Sequence, residues 1–155
     1  MANGSGGNGD AEAVPRPDPD LIEYVVISLP ELSSSPGVGR ALRSLVESSR
    51  VRILDLVGVV TDSHGRYSVT EPEFVASLAD LQGVAGEVGG MLSEDDIVLA
   101  CRALRPGTSA LILVVEDRWA QELADAARAG GGRIVGGERI PRHRIEQAER
   151  ARRSE

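Results

Sequence analysis

Residues 51–69 read VRILDLVGVVTDSHGRYSV, and this stretch sets the class of the fold. Its first part is almost entirely apolar and rich in β-branched residues, which predicts a strand over residues 51–61. The polar sequence Asp-Ser-His-Gly at residues 62–65 is typical of a hairpin turn, and a short strand over residues 66–69 follows it. We therefore expect an antiparallel hairpin in the middle of the chain.

Further strands and helices are predicted on both sides of this hairpin. Apolar runs at residues 21–29 and 108–115 indicate two more strands, and the pattern at residues 133–140 indicates a fifth. Apolar residues at helical spacing predict helices near residues 36–46, 74–81, 94–104, 119–129 and 141–153.

The resulting order is β-α-β-β-α-α-β-α-β-α, which places the chain in the α/β (α+β) class. Its first part, β-α-β-β-α-β, is the order of a ferredoxin-like plait, and an αβ(α) extension follows at the C-terminal end. We expect a mostly antiparallel sheet with its helices on one face. The strands are apolar at nearly every position, however, which indicates that both faces are covered. The second cover would be the C-terminal helices or the sheet of a second copy.

Composition divides the chain into three parts. Residues 1–20 are rich in Gly, Asn, Pro and Asp and predict a disordered tail. Residues 21–140 form the predicted domain, and residues 141–155 a polar helix rich in Arg and Glu. The start of the chain has no apolar signal segment, and no apolar run approaches the ~20 residues of a membrane helix. We therefore expect a cytoplasmic protein without a membrane span.

The charged residues exclude several classes of function. The chain has 17 Arg, no Lys and a net charge of −7, so Lys-based catalysis is excluded and DNA binding is not expected. One Cys and two His cannot form a closed Cys/His zinc site, and neither His64 nor His143 belongs to a catalytic motif. We expect no metal, no cofactor and no catalytic residue, and Cys101 as a buried, inert thiol.

Asp55 is the most unusual residue of the predicted strands. It lies in mid-strand, where we expect it on the same face as the apolar residues Val51, Ile53, Val57 and Val59. A carboxylate at such a position must be paired, exposed or shifted in pKa. One interpretation makes it a ligand-binding group. The other makes it a structural residue at a wet edge, or in a salt bridge with Arg52 or Arg118.

Glu116 and Trp119 follow the strand at residues 108–115 and are candidate neighbours of Asp55 in a binding site. The three side chains could line a small-ligand pocket at the strand ends. The alternative is that Asp117 caps the next helix and Trp119 anchors the core.

Several motifs carry a resemblance to a known family. They are RILDL at residues 52–56, LSEDD at 92–96, PGTSA at 106–110 and EDRWA at 116–120, together with YVVISLPE at 24–31. With these motifs the chain resembles a family of short proteins of unknown function from high-GC bacteria. The resemblance implies a ferredoxin-like α/β domain and no particular activity. A related group is described as membrane-associated, but the corresponding residues 81–92 are short here and contain Glu87.

Three functions remain open at this point. The first is a non-enzymatic domain that self-associates, as a homo-oligomer such as a dimer, or binds a protein partner through its sheet. The second is a small-ligand sensor or an enzyme with a pocket near Asp55, Glu116 and Trp119. The third is weak RNA binding through the Arg cluster at the C-terminal end, although residues 138–155 hold four acidic residues against six Arg.

Overall fold

A computed structural model describes residues 16–34, 36–70 and 90–155 of the chain. Within them the strands are β1 (Ile22–Leu29), β2 (Arg52–Thr61), β3 (Tyr67–Thr70) and β4 (Ser109–Glu116). The α-helices are α1 (Pro36–Glu47), α2 (Glu94–Arg102), α3 (Gln121–Ala129) and α4 (Arg142–Arg153). The helix predicted near residues 74–81 lies outside the described residues.

The four strands form one sheet in the order β1-β4-β2-β3, and every neighbouring pair is antiparallel. The predicted α/β class with an antiparallel sheet is confirmed. β4 lies between β1 and β2, so β2 and β4 occupy the centre. In a ferredoxin-like plait the first and third strands are central, so the strand order of that plait in particular is not confirmed.

A β-bulge in β2 decides which side chains face which layer. Ile53 pairs with Val115 and Asp55 pairs with Val114, so Leu54 is an extra residue on the β2 side. Because side chains alternate along a strand, this extra residue places Asp55 on the face opposite to Ile53. The expectation that Asp55 shares a face with Ile53 was wrong, and the bulge is the reason.

Both faces of the sheet are covered, each by a different helix. Leu111 and Leu113 of β4 pack in a cluster with Leu42 of α1, whereas Ala110 and Ile112 pack in a cluster with Ile97 and Ala100 of α2. The two faces are called the α1 face and the α2 face below. The expectation that both faces are covered is confirmed, because β4 is apolar on both sides and each side packs against its own helix. The expectation that the helices lie on one face was wrong, since the second cover is α2.

The predicted strand at residues 133–140 does not form. Gly136 and Gly137 interrupt its apolar pattern, and this segment runs without regular structure between α3 and α4. Val135 is 90% exposed, while Ile134 packs against Leu21. The C-terminal extension therefore consists of α3, an irregular segment and the exposed helix α4.

The start of the described chain is held against this extension. Residues Pro19–Leu21 form a short 3₁₀ helix, and the Leu21 side chain is buried. Asp18 and Asp20 both bind Arg128 of α3. Residues 16–20, which composition assigned to the tail, thus contact the domain, whereas residues 1–15 lie outside the described residues.

Candidate functional site

Asp55 uses its carboxylate to fasten a loop to the sheet. Its Oδ1 atom accepts a hydrogen bond from the amide of Leu56 (2.9 Å), next to the bulge. Its Oδ2 atom accepts hydrogen bonds from the amides of Met91 (2.9 Å) and Leu92 (3.0 Å). The segment that leads into α2 is therefore bound to β2 through this one side chain. The carboxylate is paired, but with backbone amides rather than with the arginines considered above.

Glu116 ends β4 and is almost completely buried. It lies opposite Arg52 of β2, and the guanidinium NH1 atoms of Arg52 and Arg118 are 3.8 and 3.5 Å from its Oε1 atom. Its Oε2 atom accepts a hydrogen bond from the amide of Asp18. Among the described residues nothing donates a hydrogen bond to Oε1, so the arginines balance its charge from a longer distance.

A polar cavity of about 740 Å³ opens beside Glu116. Asp18, Asp20, Arg118 and Arg128 are among the residues that line it. The Arg128 guanidinium binds the Asp18 carboxylate and lowers the pKa of that group to about 2. The cavity walls are therefore held together largely by their own ion pairs.

A second cavity, called the β1 groove here, lies between the start of β1 and the irregular segment after α3. It measures about 870 Å³ and is lined by residues 19–26 and 133–139, together with Asp117, Trp119, Ala120 and Leu123. Trp119 is 68% exposed and Leu123 is 60% exposed, so large apolar side chains face solvent along this groove. The expectation that Trp119 anchors the core was wrong, because Ala120 is the residue of that turn that is buried.

Two carboxyl groups meet at the end of the β1 groove. Glu23 of β1 pairs with Val115, and the amide of Asp117 donates a hydrogen bond to the carbonyl oxygen of Leu21 (2.8 Å), which continues the ladder. Glu23 and Asp117 are therefore diagonal neighbours on the α1 face. Burial, followed by the proximity of Glu23, raises the pKa of Asp117 to about 7. Its side chain makes no capping hydrogen bond, so the predicted cap is not formed.

The three predicted site residues are not brought into one cavity among the described residues. Glu116 lines the polar cavity, Trp119 lines the β1 groove, and Asp55 lines neither of them. The sequence did not single out Glu23 and Asp117 as a pair. The available signal was a carboxylate in an otherwise apolar strand, but only the strand register shows which residue lies beside it.

The other polar residues that were considered lie apart from these cavities. Burial raises the pKa of the half-buried Cys101 thiol, which agrees with an inert cysteine. His64 is exposed in the β2–β3 turn and His143 is exposed on α4. In the described part of the chain, no three His, Cys, Asp or Glu side chains are grouped so that they could hold a metal ion.

Comparison with known families identifies the chain. A family of unknown function, DUF6325, matches residues 19–148, which include the sheet, the β1 groove, most of the polar cavity and most of α4. The chain belongs to the DUF6325 family. No curated protein and no solved structure matches this DUF6325 domain. No helix in the described ranges is long and apolar enough to cross a membrane.

Proposed function

We propose that this domain is a non-enzymatic, cytoplasmic binding module that takes an extended segment of another protein along β1. The supporting observation is that β1 is an edge strand whose outer side meets no strand in the described part of the chain. An open edge presents a row of free amide and carbonyl groups, which an added strand can pair. The single Cys suits a reducing compartment.

β1 itself has few of the features that usually protect such an edge. Proteins block open edges with charged side chains, proline or bulges. β1 is eight residues long, its register with β4 is continuous, and Glu23 is its only charged residue. Tyr24 and Val26 are exposed on its α2 face. A strand of this length and composition favours pairing with another chain.

The surroundings of β1 favour a separate segment over a second copy. Residues 133–139 line the other side of the groove, so a docking strand has to fit between them and β1. A second copy would bring its whole sheet and its own residues 133–139 to the same place. The groove is lined by four carboxylates and two guanidiniums, and a second copy would add another Glu23. Charge complementarity therefore favours a basic segment.

Trp119 provides the test, because it is the only tryptophan of the chain and it lines the groove. The probe is a short peptide of alternating threonine and valine with a central lysine, titrated into the full chain while Trp119 fluorescence is recorded. We expect a saturable blue shift as the indole is covered. Absence of any change would overturn the proposal.

Two variants show whether the peptide binds at β1. Val26→Arg adds bulk and a positive charge inside the groove and should weaken binding at least about tenfold. Val69→Arg is the matched control, because Val69 is also exposed but lies on β3 at the opposite edge of the sheet. Equal effects of the two changes would contradict binding at β1. A native mass spectrum that shows a dimer abolished only by Val26→Arg would replace the separate segment with a second copy.

A further inference from the structure

We infer, on the basis of the proposed function, that Glu23 and Asp117 form a subsite for the cationic side chain of the bound segment. The segment would then carry a lysine or arginine that enters the β1 groove between these two carboxyl groups. This specifies which extended segments the domain selects. A segment with a neutral side chain at that position would bind β1 through its backbone alone.

The strand register places the two carboxyl groups side by side. Glu23 lies directly opposite Val115, and Asp117 is two residues further along on the same face. The hydrogen bond from the amide of Asp117 to the carbonyl oxygen of Leu21 keeps that geometry beyond the end of β4. Diagonal neighbours of this kind lie within reach of each other's side chains.

In the part of the chain that the structure describes, neither guanidinium of the groove lining forms an ion pair with Glu23 or Asp117. None of the ion pairs among the described residues includes Glu23 or Asp117. Arg133, which faces the groove, binds Asp20 at 2.6 Å. The remaining charged residues of the lining are Glu138 and Arg139, which have opposite charges. A cation from outside is therefore the missing partner of the two carboxyl groups.

The pair also couples binding to pH. Burial of Asp117, followed by the proximity of the exposed Glu23, raises the pKa of Asp117 to about 7, so that the two adjacent carboxyl groups do not both ionise at low cost. An ammonium or guanidinium group placed between them stabilises the doubly ionised form. When such a segment binds, the proton of Asp117 leaves to solvent and the cation takes its place. Binding should therefore tighten as the pH rises through 7.

Trp119 completes the subsite on its apolar side. Its side chain lies close to the Asp117 carboxyl group and partly opposes the rise in the pKa of that group. The exposed aromatic ring stands beside the carboxyl pair, where it can also contact a cation or its alkyl stem. A cationic side chain should therefore perturb Trp119 fluorescence more than a neutral side chain does.

The experiment compares two probe peptides on the full chain. One contains the central lysine and the other contains norleucine, which keeps the alkyl stem without the charge. We expect the lysine peptide to bind at least about tenfold more tightly at pH 8, with a smaller advantage at pH 6. Calorimetry in buffers of different ionisation enthalpy should show proton release on binding of the lysine peptide only.

Variants test the assignment to Asp117. Asp117→Asn should remove both the proton release and most of the preference for lysine, whereas Glu122→Gln, a charge change on α3 outside the groove lining, should leave both unchanged. Equal binding of the two peptides would overturn the cation subsite and leave strand addition intact. Failure of both peptides to bind would overturn the proposed function as well.

Discussion

The Asp55 carboxylate and the amide of Leu92 are 3.0 Å apart, although 37 positions separate the two residues in the chain. This contact joins the bulge of β2 to the loop that leads into α2. The capping box formed by Ser93 and Asp96 follows directly after it. The position of α2 over the sheet is thus set by two consecutive polar contacts.

Asp55→Asn should destabilise the domain without unfolding it. An asparagine keeps the shape but replaces one of the two accepting oxygens by an NH₂ group, which cannot accept the bonds that Asp55 makes. We expect a loss of about 2 kcal/mol in the free energy of unfolding, with faster hydrogen exchange at Met91 and Leu92.

The matched control for that change is Asp95→Asn, at an exposed position in the first turn of α2. It should change the free energy of unfolding by no more than about 0.5 kcal/mol. If Asp55→Asn kept full stability and instead lost a co-purified small molecule in a native mass spectrum, Asp55 would be a ligand-binding residue.

Gly58→Ala should destabilise the centre of the sheet. A Cβ atom at Gly58 would lie 2.9 Å from Cδ1 of Leu32 and 3.2 Å from the carbonyl oxygen of Thr70. The backbone of β3 or the packed Leu32 would have to move, and overpacking of this kind costs about 1–3 kcal/mol. Chemical denaturation measures the loss. Gly136→Ala is the control, because a Cβ atom there meets nothing within 4 Å.

Asp117→Asn should make the domain more stable in neutral and alkaline solution. The pKa of Asp117 is raised to about 7 in the fold, above its ordinary value of 3.8, so its contribution to stability is full at acid pH. That contribution is lost as the pH rises towards 7. The neutral amide avoids this loss. With allowance for solvent screening, we expect a Tm about 2–4 °C above that of the unmodified chain at pH 8.

Thermal unfolding over a pH series tests this prediction. The difference in Tm between the variant and the unmodified chain should shrink as the pH falls towards 4. A difference that is constant with pH, or one that grows in acid, would contradict a raised pKa of Asp117.

Sequence pattern was sufficient for the strands and helices that have strong periodicity. β1, β2 and β4 follow from apolar runs, and α1 and α2 from helical spacing. The prediction of a strand at residues 133–140 was wrong, because two glycines interrupt this segment and no strand pairs with it in the described part of the chain. The strand order could not be predicted, because no local pattern shows that β4 pairs with both β1 and β2.

The candidate site could be predicted only in part. Asp55 was recognised as unusual, but its partners are backbone amides far along the chain, which no local pattern shows. The bulge at Leu54 places the Asp55 side chain on the face of the sheet opposite to Ile53. No turn residue or glycine in the sequence marks that bulge. One interpretation of Trp119 made it a core anchor, but the small Ala120 is the residue of that turn that is buried. Tertiary packing therefore decided each of these positions.

Hydrogen exchange of β1 with and without the lysine peptide tests the central claim most directly. In the full chain, we expect amides of residues 22–26 to exchange at least about tenfold more slowly when the peptide is bound. Amides of β3, at the opposite edge of the sheet, should not change. Unchanged exchange in β1 at saturating peptide, or equal protection of both edges, would contradict the addition of a strand to β1.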